Sequence, residues 1–404
     1  MAPLPRIWIA HPDELRDCCD HIRRHDVIGF DTEFIGEATF YPQLCLIQIA
    51  TAERLCVIDP FAVGPLDEFW DSLTDPSRTV VVHAAREEIR IGRHACGRIP
   101  PGLFDLQIAA GLVGIGYPLG YAALVRQVLR EPLQKGETLT DWSRRPLTPQ
   151  QLEYAFADVC YLLPVHARVQ KRLTEFGRAE WLAEEMQALV CHALSDDPAV
   201  ERWRKLRGIG NLDRKRLAVV RELFAWRESA AERQNRPVRS VLRDDLLIEI
   251  ARRLPQHERD FETLRGVTTR ERGAILEAVL RGRETPQDEW PKTTEREIEI
   301  PSVSLVTSLL GAVLGDLCAR AALSAALVGT TSDLRALVRS RYDNKPVSAD
   351  DCGLSEGWRA REILPILTAV LEGRGEVRIG NLHNDAPLDW NGEAGAMLRP
   401  LTRN

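Results

Sequence analysis

Three short apolar runs near the start of the chain do most to limit its fold: residues 27–31 (VIGFD), 44–50 (LCLIQIA) and 54–58 (RLCVI). Only turn-like segments separate them. Short β-branched and apolar runs in that arrangement read as strands, so the spacing predicts a three-strand antiparallel meander. A helical stretch near 66–73 leads to a fourth strand at 79–83 (TVVVH) and then a further helix. Residues 103–105 are too short to assign alone, and from there to about Glu175 the periodicity is helical. A meander followed by alternating strands and helices indicates an α/β or α+β domain with a mixed sheet, expected over residues 1–177.

At 404 residues the chain exceeds what one core organises, so further units are expected. Residues 178–200 read as a connector helix closed by the turn Ser-Asp-Asp-Pro at 195–198. Residues 201–283 carry only helical periodicity, with Leu212, Leu217, Leu223 and Trp226 near one face, and predict a small all-helical bundle. The polar stretch 284–300, with Pro286 and Pro291, reads as a linker. Residues 301–404 form a mainly helical third unit, opening with an Ala/Leu-rich helix at 302–327 and ending in a short strand at 376–380.

Hydrophobic residues at 44% and charged residues at 28% suit a folded globular chain. No run reaches the roughly 18 apolar residues of a membrane span, and residues 1–17 lack a basic region followed by a long apolar stretch, so a cytoplasmic protein is expected. Nine cysteines without a C-x-x-C pair read as reduced thiols. The net charge of −6 disfavours a nucleic-acid partner only if it is spread evenly. It is not, since across 201–283 basic residues outnumber acidic ones by about three to two.

Asp31 and Glu33 flank Thr32 at the end of the first of the three runs, and strand alternation points both carboxylates to one face. Two adjacent carboxylates repel unless they share a cation, and oxygen donors suit Mg²⁺ or Mn²⁺. Tyr154 and Asp158, at i and i+4 of a helical segment, also share a face, where a phenol beside a carboxylate can orient a water. Glu87 and Glu88 fall in the first turn of the helix after the fourth strand, a position the helix dipole favours for stability alone.

In order, Phe-Asp-Thr-Glu-Phe at 30–34, His-Ala-Ala-Arg-Glu-Glu at 83–88, Phe-Asp-Leu-Gln-Ile-Ala-Ala at 104–110 and the block at 140–158 ending Glu-Tyr-Ala-Phe-Ala-Asp closely resemble ribonuclease D. That family belongs to the DEDD exonucleases, in the branch whose third motif carries a tyrosine. The resemblance implies a ribonuclease H-like fold and two-metal hydrolysis, with two Mg²⁺ or Mn²⁺ ions held by Asp31, Glu33, Glu88 and Asp158 and a water positioned by Tyr154. Glu88 departs from the pattern, which has aspartate there; the extra methylene moves the carboxylate by about 1.5 Å. Asp105 and Gln48 fall in shared blocks as supporting residues. The stretch beginning at Leu217 resembles the HRDC domain, which implies contact with nucleic acid.

The activity implied is a 3′–5′ exoribonuclease acting on RNA, with tRNA precursors as the substrate class and no membrane or small-molecule cofactor. A DNA exonuclease using the same site and a catalytically silent RNA-binding protein are the alternatives. Oligomeric state and the role of residues 301–404 stay open.

Overall fold

Runs of Val, Ile and Leu have no polar side chains to present to water, so they bury themselves between layers, and the central sheet is built from them. The computed structural model describes residues 4–36, 39–133, 140–194, 202–293, 300–347 and 352–401. The expected turn at 195–198 and the middle of the expected linker, 294–299, lie outside these. Strands β1 (Arg6–Ile9), β2 (Val27–Ile35), β3 (Gln43–Ala50), β4 (Leu55–Ile58), β5 (Thr79–Val82) and β6 (Leu103–Asp105) form one six-stranded sheet in the order β1-β4-β3-β2-β5-β6. β3 runs antiparallel to β4, with Ile47 opposite Ile58, whereas β1–β4, β2–β5 and β5–β6 are parallel. The sheet is mixed, as expected. Ile28, Ile47, Ile49, Val57 and Val81 are wholly buried in it.

Helices α1 (Pro12–Ile22), α2 (Pro60–Val63), α3 (Asp67–Leu73), α4 (Arg86–Cys96), α5 (Leu106–Leu112), α6 (Tyr121–Leu129), α7 (Pro149–Cys160), α8 (Leu162–Glu175) and α9 (Ala179–Leu194) complete this part of the chain. α7 packs on β4 and α8 on β5. Gly29 admits α8 to the sheet: a Cβ there would lie 3.0 Å from Leu162 Cδ1 and 3.1 Å from Ala50 Cβ. That close approach brings the α7–α8 junction against β2.

The chain divides into two compact units, one of Met1–Glu33, Cys45–Ala193 and Ile298–Asn404, the other of Phe34–Leu44 and Leu194–Glu297. The second unit is all-helical, with α10 (Arg214–Gln234), α11 (Val238–Val241), α12 (Asp244–Arg253) and α13 (Thr269–Glu284). Trp203, Leu223, Leu247, Phe261 and Ile275 form its core. Gly282 lets α13 lie directly on α10, since a Cβ there would sit 2.5 Å from Val219 Cα. Residues 34–44 belong to this unit because Phe40 packs with Ala230, Ala231 and Val241, and the Tyr41 N–H donates to Asn235 Oδ1 at 3.1 Å. The sequence Leu-Arg-Gly-Ile-Gly at 206–210 forms a tight turn, with Gly208 at φ +91° ahead of the 3₁₀ turn Ile209–Asn211.

The last stretch of the first unit holds α14 (Pro301–Arg320), α15 (Ala325–Val328), α16 (Thr331–Tyr342), α17 (Gly357–Glu362), α18 (Leu364–Leu371) and α19 (Gly392–Leu401), with an antiparallel pair β7 (Gly375–Ile379) and β8 (Leu388–Asn391). The expected 302–327 helix stops at Arg320. Ala322 turns left-handed at φ +46°, and the Ser324 N–H leaves the helical ladder to donate to Gly111 O at 2.9 Å. Arg178, which is buried, holds this corner by donating to Leu112 O at 2.6 Å, to Ala322 O at 2.9 Å and to Ala321 O. Trp181 stacks on Trp358 nearby, with ring centroids 4.4 Å apart. By length and composition α14 is apolar enough to cross a membrane, but it buries Leu310, Val313, Leu314 and Leu317. Its Asp316 is also buried and accepts from Leu388 N and Trp390 Nε1, each at 2.7 Å, which marks a core helix.

Candidate active site

Asp31 and Glu33 stand near the end of β2, and the fold brings Glu88 from α4 and Asp158 from α7 to them. Asp31 feels the charges of Glu88, Asp158 and Glu33, in that order, and its carboxyl is pushed well above the ordinary carboxylate range, first by burial and then by those charges. Glu33 is raised to about 8 by burial, then by Asp158 and Glu88. Burial likewise raises Asp158 to about 7, opposed by the hydrogen bond from Tyr154. Glu88 is raised to about 7 by burial, opposed by hydrogen bonds from its own backbone N–H and from Thr32. Four carboxylates crowded out of water are stable in the charged form only with positive charge among them.

Local chemistry sets each of these side chains. β5 hands over to α4 through Ala84, a non-glycine residue at φ +64°. Asp105 holds that turn: it is 2% exposed and accepts from Ala84 N at 3.1 Å, Ala85 N at 2.9 Å and Gln107 N at 2.7 Å, capping α5 as well. One turn into α4, Glu88 accepts from the Thr32 hydroxyl at 3.2 Å, so the residue between the two β2 carboxylates anchors the third.

α7 begins with a reciprocal cap. Thr148 Oγ1 accepts from Gln151 N at 3.2 Å, Gln151 Oε1 accepts from Thr148 N at 2.8 Å, and Pro149 fills the first helical position. The segment before it is pinned by Arg145, which pairs through two nitrogens with buried Asp59 at 2.6 and 2.8 Å and donates to Cys45 O at 2.9 Å. Tyr154 packs its ring near Trp142, at 5.9 Å between centroids, and bonds Asp158 through its hydroxyl. Burial and the surrounding carboxylates push that phenol above its ordinary value, so it remains a phenol at neutral pH.

All five sequence-derived residues, Asp31, Glu33, Glu88, Tyr154 and Asp158, therefore share one cluster. Gln48 lies fully buried in β3 and both of its side-chain polar atoms lack a protein partner. Sequence reasoning missed Tyr121. Its buried hydroxyl accepts from Tyr161 N at 3.2 Å and senses the charges of Asp158 and Asp31. No motif spacing marks it, since it enters from α6, which lies between the blocks at 104–110 and 140–158.

Residues 6–174 match the family model described as 3′-5′ exonuclease, and residues 216–281 match the HRDC domain. Ribonuclease D of Pseudomonas paraeruginosa is 34% identical over 369 residues, covering 90% of this chain and 97% of that protein. The chain belongs to the ribonuclease D family. Ribonuclease D of Nitrobacter hamburgensis is 36% identical over 352 residues, covering 86% and 90% of the two chains. The crystal structure of Escherichia coli RNase D, described as an exoribonuclease involved in structured RNA processing, is similar with a TM-score of 0.77 at 28% identity, over 92% of this chain and 99% of that one. As a ribonuclease D family member the chain is a 3′–5′ exoribonuclease, a hydrolase dependent on divalent metal. Its HRDC domain binds nucleic acid.

Proposed function

We propose that this exoribonuclease shortens structured RNA precursors in the cytoplasm, with tRNA precursors as its principal substrate class, by hydrolysis at a two-metal site. The observation that carries this reading is the convergence of Asp31, Glu33, Glu88 and Asp158 with a phenol hydrogen-bonded to one of them. An all-oxygen donor set whose carboxyls are raised by burial, Asp31 and Glu33 also by their neighbours' charges, fits hard divalent cations, and these four side chains would hold them. Bound there, two Mg²⁺ or Mn²⁺ ions supply activation of water and neutralisation of charge on the scissile phosphate and its leaving oxygen.

The chain's own groups do the rest. The Tyr154 hydroxyl spends its proton on Asp158, which leaves its oxygen lone pairs to accept from the attacking water and aim it at phosphorus. Because the phenol stays protonated, it orients the water and does not act as the base. Thr32 and Asp105 keep Glu88 in place. We assign the sequence-based division of the chain the following roles: catalysis in 1–177, a connector at 178–200, phosphate contacts in the basic helical segment 201–283, and a linker at 284–300 before the 301–404 segment.

The test is digestion of a 5′-labelled, 3′-extended tRNA transcript with Mg²⁺ or Mn²⁺. Stepwise 3′ shortening is expected, slowed by about 10³-fold in Asp31→Asn. Intact RNA that is bound but never shortened under either metal refutes the proposal, and preference for a DNA strand of the same sequence refutes the substrate class.

A further inference from the structure

His21, His25 and Glu53 meet at the opposite end of β2 from the carboxylate cluster. Each offers one ligand atom, and these atoms lie within 4.8 Å of one another. His21 is on the last turn of α1, His25 just precedes β2, and Glu53 is in the turn between β3 and β4. From His25 to Asp31 is six residues of mostly extended chain, about 20 Å, so this is a separate place on the molecule.

Hydrogen bonds fix which nitrogen of each ring carries the proton. His25 Nδ1 lies 2.9 Å from the His21 carbonyl oxygen, which can only accept, so Nδ1 holds the hydrogen and the lone pair of the neutral ring is on Nε2. His21 Nε2 lies 2.9 Å from Thr51 Oγ1, and that hydroxyl already donates to Arg54 O at 3.2 Å. The Arg24 guanidinium, which can only donate, lies 3.3 Å from His21 Nδ1, so the His21 lone pair is on Nδ1 and Nε2 carries the hydrogen toward Thr51. Those two lone-pair nitrogens are the ones that face Glu53: His21 Nδ1 is 3.9 Å from Oε2, and His25 Nε2 is 3.9 Å from Oε1. Burial, then Arg54, lowers His21 to about 4, which keeps the ring neutral at pH 7.

We propose that His21 Nδ1, His25 Nε2 and the Glu53 carboxylate form a binding site for a late first-row divalent cation, Zn²⁺ foremost, with water completing the coordination. Two imidazoles and a carboxylate suit zinc, and each ring is already oriented by a hydrogen bond from its second nitrogen. Zn–N bonds of about 2.0–2.1 Å require donors roughly 3.3 Å apart, so the cluster has to contract slightly. Glu53 can close its 3.9 Å separations from the two rings, because its side chain is 71% exposed. The exposed Arg24, whose Nη2 stands 3.3 Å from His21 Nδ1, swings aside. Arg24 and Arg54 add positive charge nearby and hold the affinity below that of closed zinc sites. Occupancy would clip the end of α1 to the β3–β4 turn.

Isothermal titration of the chelator-stripped full chain with Zn²⁺, in excess Mg²⁺ to occupy the carboxylate cluster, tests the site. One zinc per chain is expected, with at least about tenfold weaker binding in Glu53→Gln and in His25→Gln. Nitrogen-15 histidine spectra should show His21 Nδ1 and His25 Nε2 moving on zinc addition. Glu53 is exposed, so Glu53→Gln keeps the test sound if the histidine variant folds poorly. Zinc uptake unchanged by Glu53→Gln, or abolished by Asp31→Asn/Asp158→Asn, overturns the proposal.

Discussion

Replacing Glu88 with glutamine should stabilise the metal-free protein at alkaline pH while disabling it as an enzyme. Glutamine keeps the size of the side chain and can still accept from the Thr32 hydroxyl, so the change removes charge and little else. Burial raises Glu88 from an ordinary 4.5 to about 7 in the folded protein. The folded state therefore holds this proton more tightly than the unfolded chain does. The stability it contributes is present below about pH 4.5 and is lost as pH climbs through about 7. At about 1.4 kcal/mol per pH unit, that gap makes the loss about 3 kcal/mol between pH 4.5 and pH 8. Urea denaturation in EDTA at these two pH values reads it directly: unfolding free energy should fall by about 3 kcal/mol more in the parent than in Glu88→Gln. With saturating Mg²⁺ at pH 8 the difference should shrink, because the ion needs the charge that the variant lacks. An identical pH slope for the two proteins, or full exonuclease activity in Glu88→Gln, refutes the reasoning.

Tyr154→Phe should lower kcat by about 10²-fold with KM unchanged, since the hydroxyl is proposed to aim water and not to bind RNA; a change confined to KM would contradict that role. Thr32→Val, which removes the donor to Glu88 and keeps the shape, should cut activity roughly tenfold in steady-state digestion without altering the circular dichroism spectrum. Arg178→Ala strands three carbonyl oxygens at the corner between α5 and α14 and should cost about 3–5 kcal/mol in denaturant unfolding. Lys205→Ala/Arg207→Ala removes two exposed charges of the HRDC-containing unit and should reduce the salt slope of RNA binding by about 1.5, measured by filter binding across salt concentrations.

The carboxylate cluster was legible because its chemistry is local. Asp31 and Glu33 are two apart on a strand and Tyr154 and Asp158 four apart on a helix, so each pair announces its own geometry. Glu88 could not be placed this way, since an acid in the first turn of a helix is explained by the dipole alone, and only the position of its motif among the others marks it. β1 and β6 were hidden for a different reason. Runs of four and three residues carry too little periodicity, and both strands exist because the edges of β4 and β5 pair with them. The break after Arg320 was invisible because Ala321 and Ala322 are good helix formers, overridden by Arg178 and the Ser324–Gly111 bond from parts of the chain far away in sequence. Tyr121 shares that difficulty, being brought to the site by tertiary packing and by no pattern of its own.

The discontinuity of the first unit has a consequence for how the protein is made. Its N-terminal segments end at Ala193, yet the surface that covers Trp181 and Arg178 comes from residues 298–404. At a synthesis rate of about 5–20 residues per second, the nascent nuclease waits on the order of 10–40 s with an indole face and a buried-to-be guanidinium open to water. During that interval the helical bundle emerges whole and can close on residues 34–44, already outside the ribosome. Completion thus runs opposite to the order of emergence, with the helical bundle finished before the unit that begins the chain, and that waiting unit is the stretch a chaperone has most reason to hold.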